Sequence, residues 1–410
     1  MKFVYNIGIL ILNLLVRLAA PFNSKVRLWV NGMKDWKTKL SNAANPGNRN
    51  IWIHCASLGE FEQGRPLIEA LKKEKPDVSI ILTFFSPSGY EIRKNYQQAD
   101  YVCYLPADTP RNAADFISAV NPALVIFVKY EFWNNYILEL SRRNIPLYLI
   151  SAIFRPDQHF FKWYGTFFRK VLSRFQHFFV QDRESMELLS GIGITNVTVT
   201  GDTRFDRVAR IAETAKEIHQ IKQFRGEQKL FLSGSSWPGD EAIVAEYINR
   251  YPGRMKWIFA PHEIGAGNIE RLEKLFTTSA VRFSQFSEKT SDARVMIIDN
   301  IGMLSSAYRY ASVAEVGGGF GAGIHNILEA ACWGMPVMFG PNYRKFREAV
   351  ELIELGGAKS FRNYQEFSDI LDNFLTDGSL YLKAAETAGQ YVRINTGATS
   401  KIMAEIKQKI

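Results

Sequence analysis

A chain of 410 residues exceeds what one hydrophobic core usually fills, so two domains are expected. With 47% hydrophobic and 22% charged residues, the composition excludes a disordered chain and a multi-span membrane protein. Lys and Arg outnumber Asp and Glu by 50 to 41, an excess that suits an anionic membrane surface, a phosphorylated substrate or nucleic acid without choosing among them. Cys55, Cys103 and Cys332 are odd in number and lack C-x-x-C spacing, which argues against disulfides or a zinc site and for a reducing, cytoplasmic setting.

The first element, Phe3 to Phe22, is almost wholly apolar and at about 20 residues can just span a bilayer. Arg17 near its end, followed by Lys25, Arg27, Lys34, Lys37 and Lys39, puts the C-terminal side in the cytoplasm. Residues 1–24 therefore read as an uncleaved anchor or interfacial helix. The competing reading is a cleaved signal peptide, for which Leu18-Ala19-Ala20 is a passable cleavage region, but nothing downstream looks secreted.

Residues 25–205 read as one doubly wound α/β unit. Strands are predicted at Ile51 to Cys55, Val78 to Phe84, Leu124 to Val128, Leu147 to Ile153 and His177 to Val180. Helices are predicted at Phe61 to Lys73, Arg111 to Val120, Phe132 to Arg143 and Phe160 to Phe175. The first strand runs into Ala56-Ser57-Leu58-Gly59-Glu60, which puts Glu60 at a strand-to-helix turn facing a predicted cleft. A carboxylate there serves either as a general base or simply as a favourable charge at a helix N-terminus. Ser86-Pro87-Ser88-Gly89 is a small-residue loop after the second strand, suited to a phosphate or to ordinary helix capping. His54 and His177 adjoin strand hydrophobics and read as satisfied core residues. The aromatic and basic stretch Phe160 to Phe179 reads as a packed helix face, with a lipid-facing role as the alternative.

The polar stretch 206–226 is the linker candidate. Over 227–410 the alternation restarts, with strands at Leu230 to Leu232, Lys256 to Ala260, Val295 to Ile298, Ala314 to Val316 and Val337 to Phe339. Helices are predicted at Glu241 to Arg250, Asn268 to Phe276 and Asn326 to Trp333. Two such units facing a cleft describe the GT-B architecture, with ligands at the carboxyl ends of the strands. Leu232 to Glu241 repeats the small-residue loop, with Ser235, Ser236 and Trp237 before Pro238.

The most informative segment is Glu315 to Glu329, a strand followed by a glycine-rich turn predicted to open directly into a helix. Gly318, Gly319 and Gly323 would offer bare amides to a phosphate, and His325 and Asn326 would occupy the first helical turn. Glu329, one turn on, would share their face and suit ribose hydroxyls. Gly317, Gly319 and Ala322 also fit a dinucleotide-binding fingerprint. However, the next strand ends in Phe339-Gly340-Pro341 rather than an acidic residue, which disfavours a nicotinamide-dependent oxidoreductase. There is no D-x-D, no metal spacing among the six histidines and no G-x-S-x-G elbow.

Four segments, Ile53 to Glu60, Thr200 to Asp206, Gly234 to Glu241 and Gly323 to Glu329 with Phe339-Gly340-Pro341, resemble the bacterial transferases that attach Kdo (3-deoxy-D-manno-octulosonic acid) to a lipid A precursor. The resemblance spans nearly the whole chain in the right order and includes the N-terminal anchor. It implies a GT-B glycosyltransferase at the cytoplasmic face of the inner membrane, inverting and metal-independent, with no cofactor and no nucleic acid. CMP-Kdo would bind the second domain at Ser235, Ser236, Trp237, Gly318, Gly319, Gly323, His325, Asn326 and Glu329. The lipid would bind the first at Ser57, Gly59, Ser86, Ser88 and Glu131, with Glu60 as the base. Lys129, Asn134 and Met303 depart from the family pattern. The number of Kdo units added and the oligomeric state are not implied. Rival readings are another GT-B nucleotide-sugar transferase of the cell envelope and a non-catalytic binder of anionic lipid.

Overall fold

Runs such as Ile51-Trp52-Ile53 and Leu124-Val125-Ile126-Phe127 carry large apolar side chains on consecutive residues, so both strand faces must be covered, as in a parallel sheet between helices. The computed structural model describes residues 1–43 and 50–409, and these residues form two such sheets. The first comprises β1 (Asn50–Cys55), β2 (Ser79–Phe84), β3 (Tyr101–Tyr104), β4 (Pro122–Val128), β5 (Leu147–Ala152), β6 (His177–Val180) and β7 (Val197–Val199). The second comprises β8 (Leu230–Ser236), β9 (Lys256–Pro261), β10 (Ala280–Arg282), β11 (Val295–Ile297), β12 (Val313–Val316), β13 (Val337–Phe339) and β14 (Ala358–Ser360).

The strand order is β3-β2-β1-β4-β5-β6-β7 in the first sheet and β10-β11-β9-β8-β12-β13-β14 in the second, with every pairing parallel. Each order reverses direction at one point, between β1 and β4 and between β8 and β12. At such a reversal the following crossovers depart to opposite faces and leave a crevice above the strand ends. Trp52 packs with Phe116 and Tyr136 on one face of the first sheet, while its neighbours Ile51 and Ile53 pack with Phe61 and Leu67 on the other.

The expected linker is helical. The helix Thr203–Thr214 leads into His219–Arg225, and the division between units falls at Arg207 and Val208. The second unit does not run to the C-terminus as expected, because residues 396–410 belong to the first. The cause is packing: the helix Ala398–Ile406 buries Ile402, Met403 and Ile406 in the core that holds Phe61, Leu67 and Leu71. Asp206 fixes its start by accepting from the amides of Gly397 (2.5 Å) and Thr399 (2.6 Å) and from the Thr399 hydroxyl (2.6 Å).

The single helix expected over Phe160 to Phe175 is instead a 3-10 turn, His159–Phe161, and a helix, Thr166–Leu172. Gly165 divides them: a Cβ there would lie 2.3 Å from the His159 carbonyl oxygen, so the chain turns where only glycine fits.

At the N-terminus, Lys2–Ala19 is one helix with no buried residue. By length and composition it could cross a membrane. The Tyr5 hydroxyl donates to Asp108 (2.6 Å), and the Asn135 side chain donates to Asn6 (2.9 Å), so its first turn is tied to the body of the first unit. Leu10, Ile11, Leu14, Leu15 and Leu18 point away, exposed.

Candidate active site

In the first unit, the loops after β1, β2 and β4 meet beside the switch point. Ala56 accepts from the amides of Phe85 (3.2 Å) and Ser86 (2.7 Å), and the Phe85 and Trp133 rings pack 5.1 Å apart. Glu60 lies in the first turn of the helix Leu58–Glu74, partly exposed, and the Ser57 hydroxyl donates to its carboxylate. Ser57 therefore holds Glu60 rather than capping the helix by its side chain, and Gly59 is exposed beside them.

Glu131 accepts from the Trp133 indole (2.5 Å) and lies 3.0 Å from His54 Nε2, whose other nitrogen is 2.8 Å from the Thr83 hydroxyl. Thr83 in turn accepts from the Trp52 indole (2.8 Å). His54 is completely buried, a satisfied core residue as expected, yet it also orients Glu131. A carboxylate beside Nε2 calls for a proton on that nitrogen, so the imidazole donates to Glu131. Burial raises the Tyr130 hydroxyl, and the charges acting on it are those of Arg155, Glu60, Asp182 and Arg204. Of these, Arg204 belongs to the Thr200 to Asp206 segment, whereas Arg155 lies in no segment singled out from the sequence. Ser86 caps the seven-residue helix Pro87–Arg93, accepting from the Ser88 amide (3.3 Å). Capping is therefore what this loop shows.

In the second unit, β8 ends in a register shift between Gly234 and Ser236, with Ser235 at φ +51°. A Cβ on Gly317 would lie 2.5 Å from the Ser235 carbonyl oxygen, so this glycine permits the two switch-point loops to touch. Asp240 joins them, one oxygen accepting from the amides of Trp237 (3.0 Å) and Gly318 (2.9 Å). Burial pushes its carboxyl up to about 6. The Ser236 hydroxyl donates to buried Glu241 (2.9 Å), which also pairs with Arg271.

The glycine turn does not open directly into a helix. Gly323 takes φ +144°, the His325 amide bonds back to Gly317 (3.1 Å), and the helix begins only at Leu328 and ends at Ala331. His325 and Asn326 precede it and share no helical face with Glu329. Asn326 nevertheless reaches Glu329, donating at 3.2 Å, while Ser305 donates to the other carboxylate oxygen. The amides of Gly318 and Gly323 are engaged within the protein, on Asp240 and on the Gly318 carbonyl, instead of standing bare. Gly319 packs against Gly340, where a Cβ would lie 2.6 Å from its Cα.

His325 accepts from the Trp237 indole through Nε2 (3.0 Å) and stacks on His262 (4.4 Å), which stacks on Trp237 (4.8 Å). Burial, with His262 second, pulls His325 down to about 4, so it is neutral at pH 7 and carries its proton on Nδ1. His262 follows β9 directly. Its signal was a histidine at a strand's carboxyl end, which motif spacing alone does not reveal. Among the described residues, no cluster of three His, Cys, Asp or Glu side chains is placed to hold a metal ion.

A sequence model of the family described as 3-deoxy-D-manno-octulosonic-acid transferase (kdotransferase) matches residues 34–207. A 3-deoxy-D-manno-octulosonic acid transferase of Aquifex aeolicus is 30% identical over 315 residues, covering 75% of this chain and 80% of the relative. One from Haemophilus influenzae is 26% identical, covering 77% and 76%. Among solved structures, the UDP-GlcNAc 2-epimerase of Neisseria meningitidis superposes with a TM-score of 0.61 at 19% identity, covering 88% of this chain and all of the other, and so shares the fold. Together with the two switch-point sites, the Aquifex relationship shows that this chain belongs to the 3-deoxy-D-manno-octulosonic acid transferase family, the GT-B-type glycosyltransferases of bacterial lipopolysaccharide synthesis.

Proposed function

We propose that the enzyme moves Kdo from CMP-Kdo to a hydroxyl of a lipid A precursor of the lipid IVA type, with inversion and without a metal ion. The first unit would take the acceptor and the second the donor. The observation that carries this reading is where the polar side chains gather: a partly exposed carboxylate, Glu60, at the first switch point, and the Trp237–His262–His325 stack with Asn326 and Glu329 at the second.

Glu60, held by Ser57, takes the proton of the acceptor hydroxyl as its oxygen attacks the anomeric carbon. The bond from that carbon to the CMP phosphate oxygen breaks, and its electron pair leaves with the phosphate. With the Gly318 and Gly323 amides engaged elsewhere, the Ser235 hydroxyl and His325 Nδ1–H are donors for the phosphate. Glu329, with Asn326 beside it, receives ribose hydroxyls. Glu131 and Ser57 contact the acceptor sugar. The helix Lys2–Ala19 lies along the cytoplasmic surface of the inner membrane, its exposed leucines in the lipid and its first turn fastened to the protein.

Calorimetric titration of the purified protein with CMP-Kdo, CMP and UDP-GlcNAc tests the donor assignment. Binding confined to the cytidine ligands is expected. Tight binding of UDP-GlcNAc, or binding of lipid without donor consumption, would overturn it.

A further inference from the structure

A cavity of ≈ 380 Å³ lies between the N-terminal helices and the body of the first unit. Leu12 and Val16 of the helix Lys2–Ala19 form one wall, Val26 and Trp29 of the helix Ser24–Gly32 a second, and Phe85 and Trp133 a third. That volume is at the small end of ligand pockets, room for a single chain rather than a whole lipid. Trp133 also donates to Glu131, and Ser86 stands at the rim, so the cavity adjoins the residues proposed to receive the acceptor.

A second cavity of ≈ 460 Å³ shares Asn13, Trp29 and Ala107 with the first but carries Arg17 and Lys34. The first cavity, mainly apolar although Lys25 and Asp108 also line it, and the second, with Arg17 and Lys34, meet at Trp29, Asn13 and Ala107 and together match an amphiphile bearing both an acyl chain and an anionic group. The Trp29 indole nitrogen is buried and unpartnered among the described residues. It is a donor left over for such a ligand.

We propose that the apolar cavity holds one acyl chain of the phosphorylated glycolipid acceptor, with a phosphate of the same molecule at Arg17 and Lys34. This rests on the acceptor reading above and assigns the N-terminal helices a part in it: they recognise the substrate as well as approach the membrane. The exposed leucines and the cavity wall belong to the same helix, Lys2–Ala19, so a chain passes from bilayer to cavity over a mainly apolar surface that Asn13 and Arg17 interrupt.

Val16→Trp places an indole in the cavity from a helix surface that packs against no core. Its KM for the acylated acceptor should rise, relative to that for the same phosphosugar stripped of its acyl chains, by at least about 10-fold, the loss of roughly two buried methylenes at about fourfold each. An equal KM ratio in wild type and variant would overturn the cavity assignment while leaving the acceptor reading intact. Failure of the wild type to use any acylated acceptor would remove both. Independently of this variant, an acceptor with a dibrominated acyl chain should quench the wild-type tryptophan fluorescence, and less so in Trp29→Phe. Equal quenching of the two proteins, or equal quenching by brominated phospholipid vesicles, would contradict the assignment.

Discussion

His325 is the residue whose environment changes it most clearly. Its ordinary value of 6.5 falls to about 4 because burial and His262 both oppose a charge. The unfolded chain therefore binds the extra proton between pH 6.5 and 4 while the folded chain does not, and this contribution to stability is present above 6.5 and lost as the pH falls. Asp240 runs the other way, since burial raises it from 3.8 to about 6 and the folded state keeps its proton longer. His325→Gln should consequently close its Tm gap to wild type as the pH falls from 6.5 to 4, and a gap constant across that window would show that His325 is not buried as a neutral ring. Glu329→Ala should weaken CMP-Kdo binding by about 1–3 kcal/mol through loss of a partly buried hydrogen-bonding carboxylate. Unaltered affinity in a folded variant would take Glu329 out of the donor site.

At the scale of elements, both sites depend on loops fixed by a few close approaches. Gly317→Ala would set a methyl 2.5 Å from the Ser235 carbonyl, so backbone must move at the switch point. It should abolish donor binding while leaving the first unit folded, as a titration with a far-UV spectrum would show. Asp206→Ala removes three acceptor contacts from the start of the last helix and should cost about 1–3 kcal/mol, with residues 396–410 the first to be cut by protease.

Most of the longer strands were legible because runs like Leu147 to Ile150 are unmistakably apolar. β3, β7, β10 and β14 escaped because they are short and only partly buried, whereas the equally short β11 and β13 are fully buried apolar runs. The helix expected at Asn326 was misplaced because Gly323 takes φ +144° and the His325 amide bonds back to Gly317, a turn that helical periodicity does not encode. The motif residues Glu60, Trp237, His325 and Glu329 were all visible. His262, Asp240 and the His54 tether on Glu131 were not singled out, since the contacts that give them a part reach residues 29 to 78 positions away.

The whole molecule joins two parallel-sheet units by a chain that crosses from the first to the second within Thr203–Thr214 and returns at Thr396. Deleting residues 1–22 removes the exposed leucines, Tyr5 and one cavity wall together. The truncated protein should remain folded, partition poorly to vesicles and lose affinity for acylated acceptor. Unchanged partition would contradict the surface role of the helix.

The central claim is that this chain transfers Kdo with Glu60 as the base. Its most direct test is the rate of labelled Kdo transfer from CMP-Kdo to the lipid acceptor, with product mass recorded, for wild type and Glu60→Gln. Glutamine keeps size and hydrogen-bonding reach but cannot accept the proton, so the account predicts acceptor plus Kdo in the wild type and a rate lower by about 10²–10⁴-fold in the variant, with CMP-Kdo affinity retained. A glutamine variant that turns over at the wild-type rate would contradict it and leave Glu131 as the carboxylate to examine.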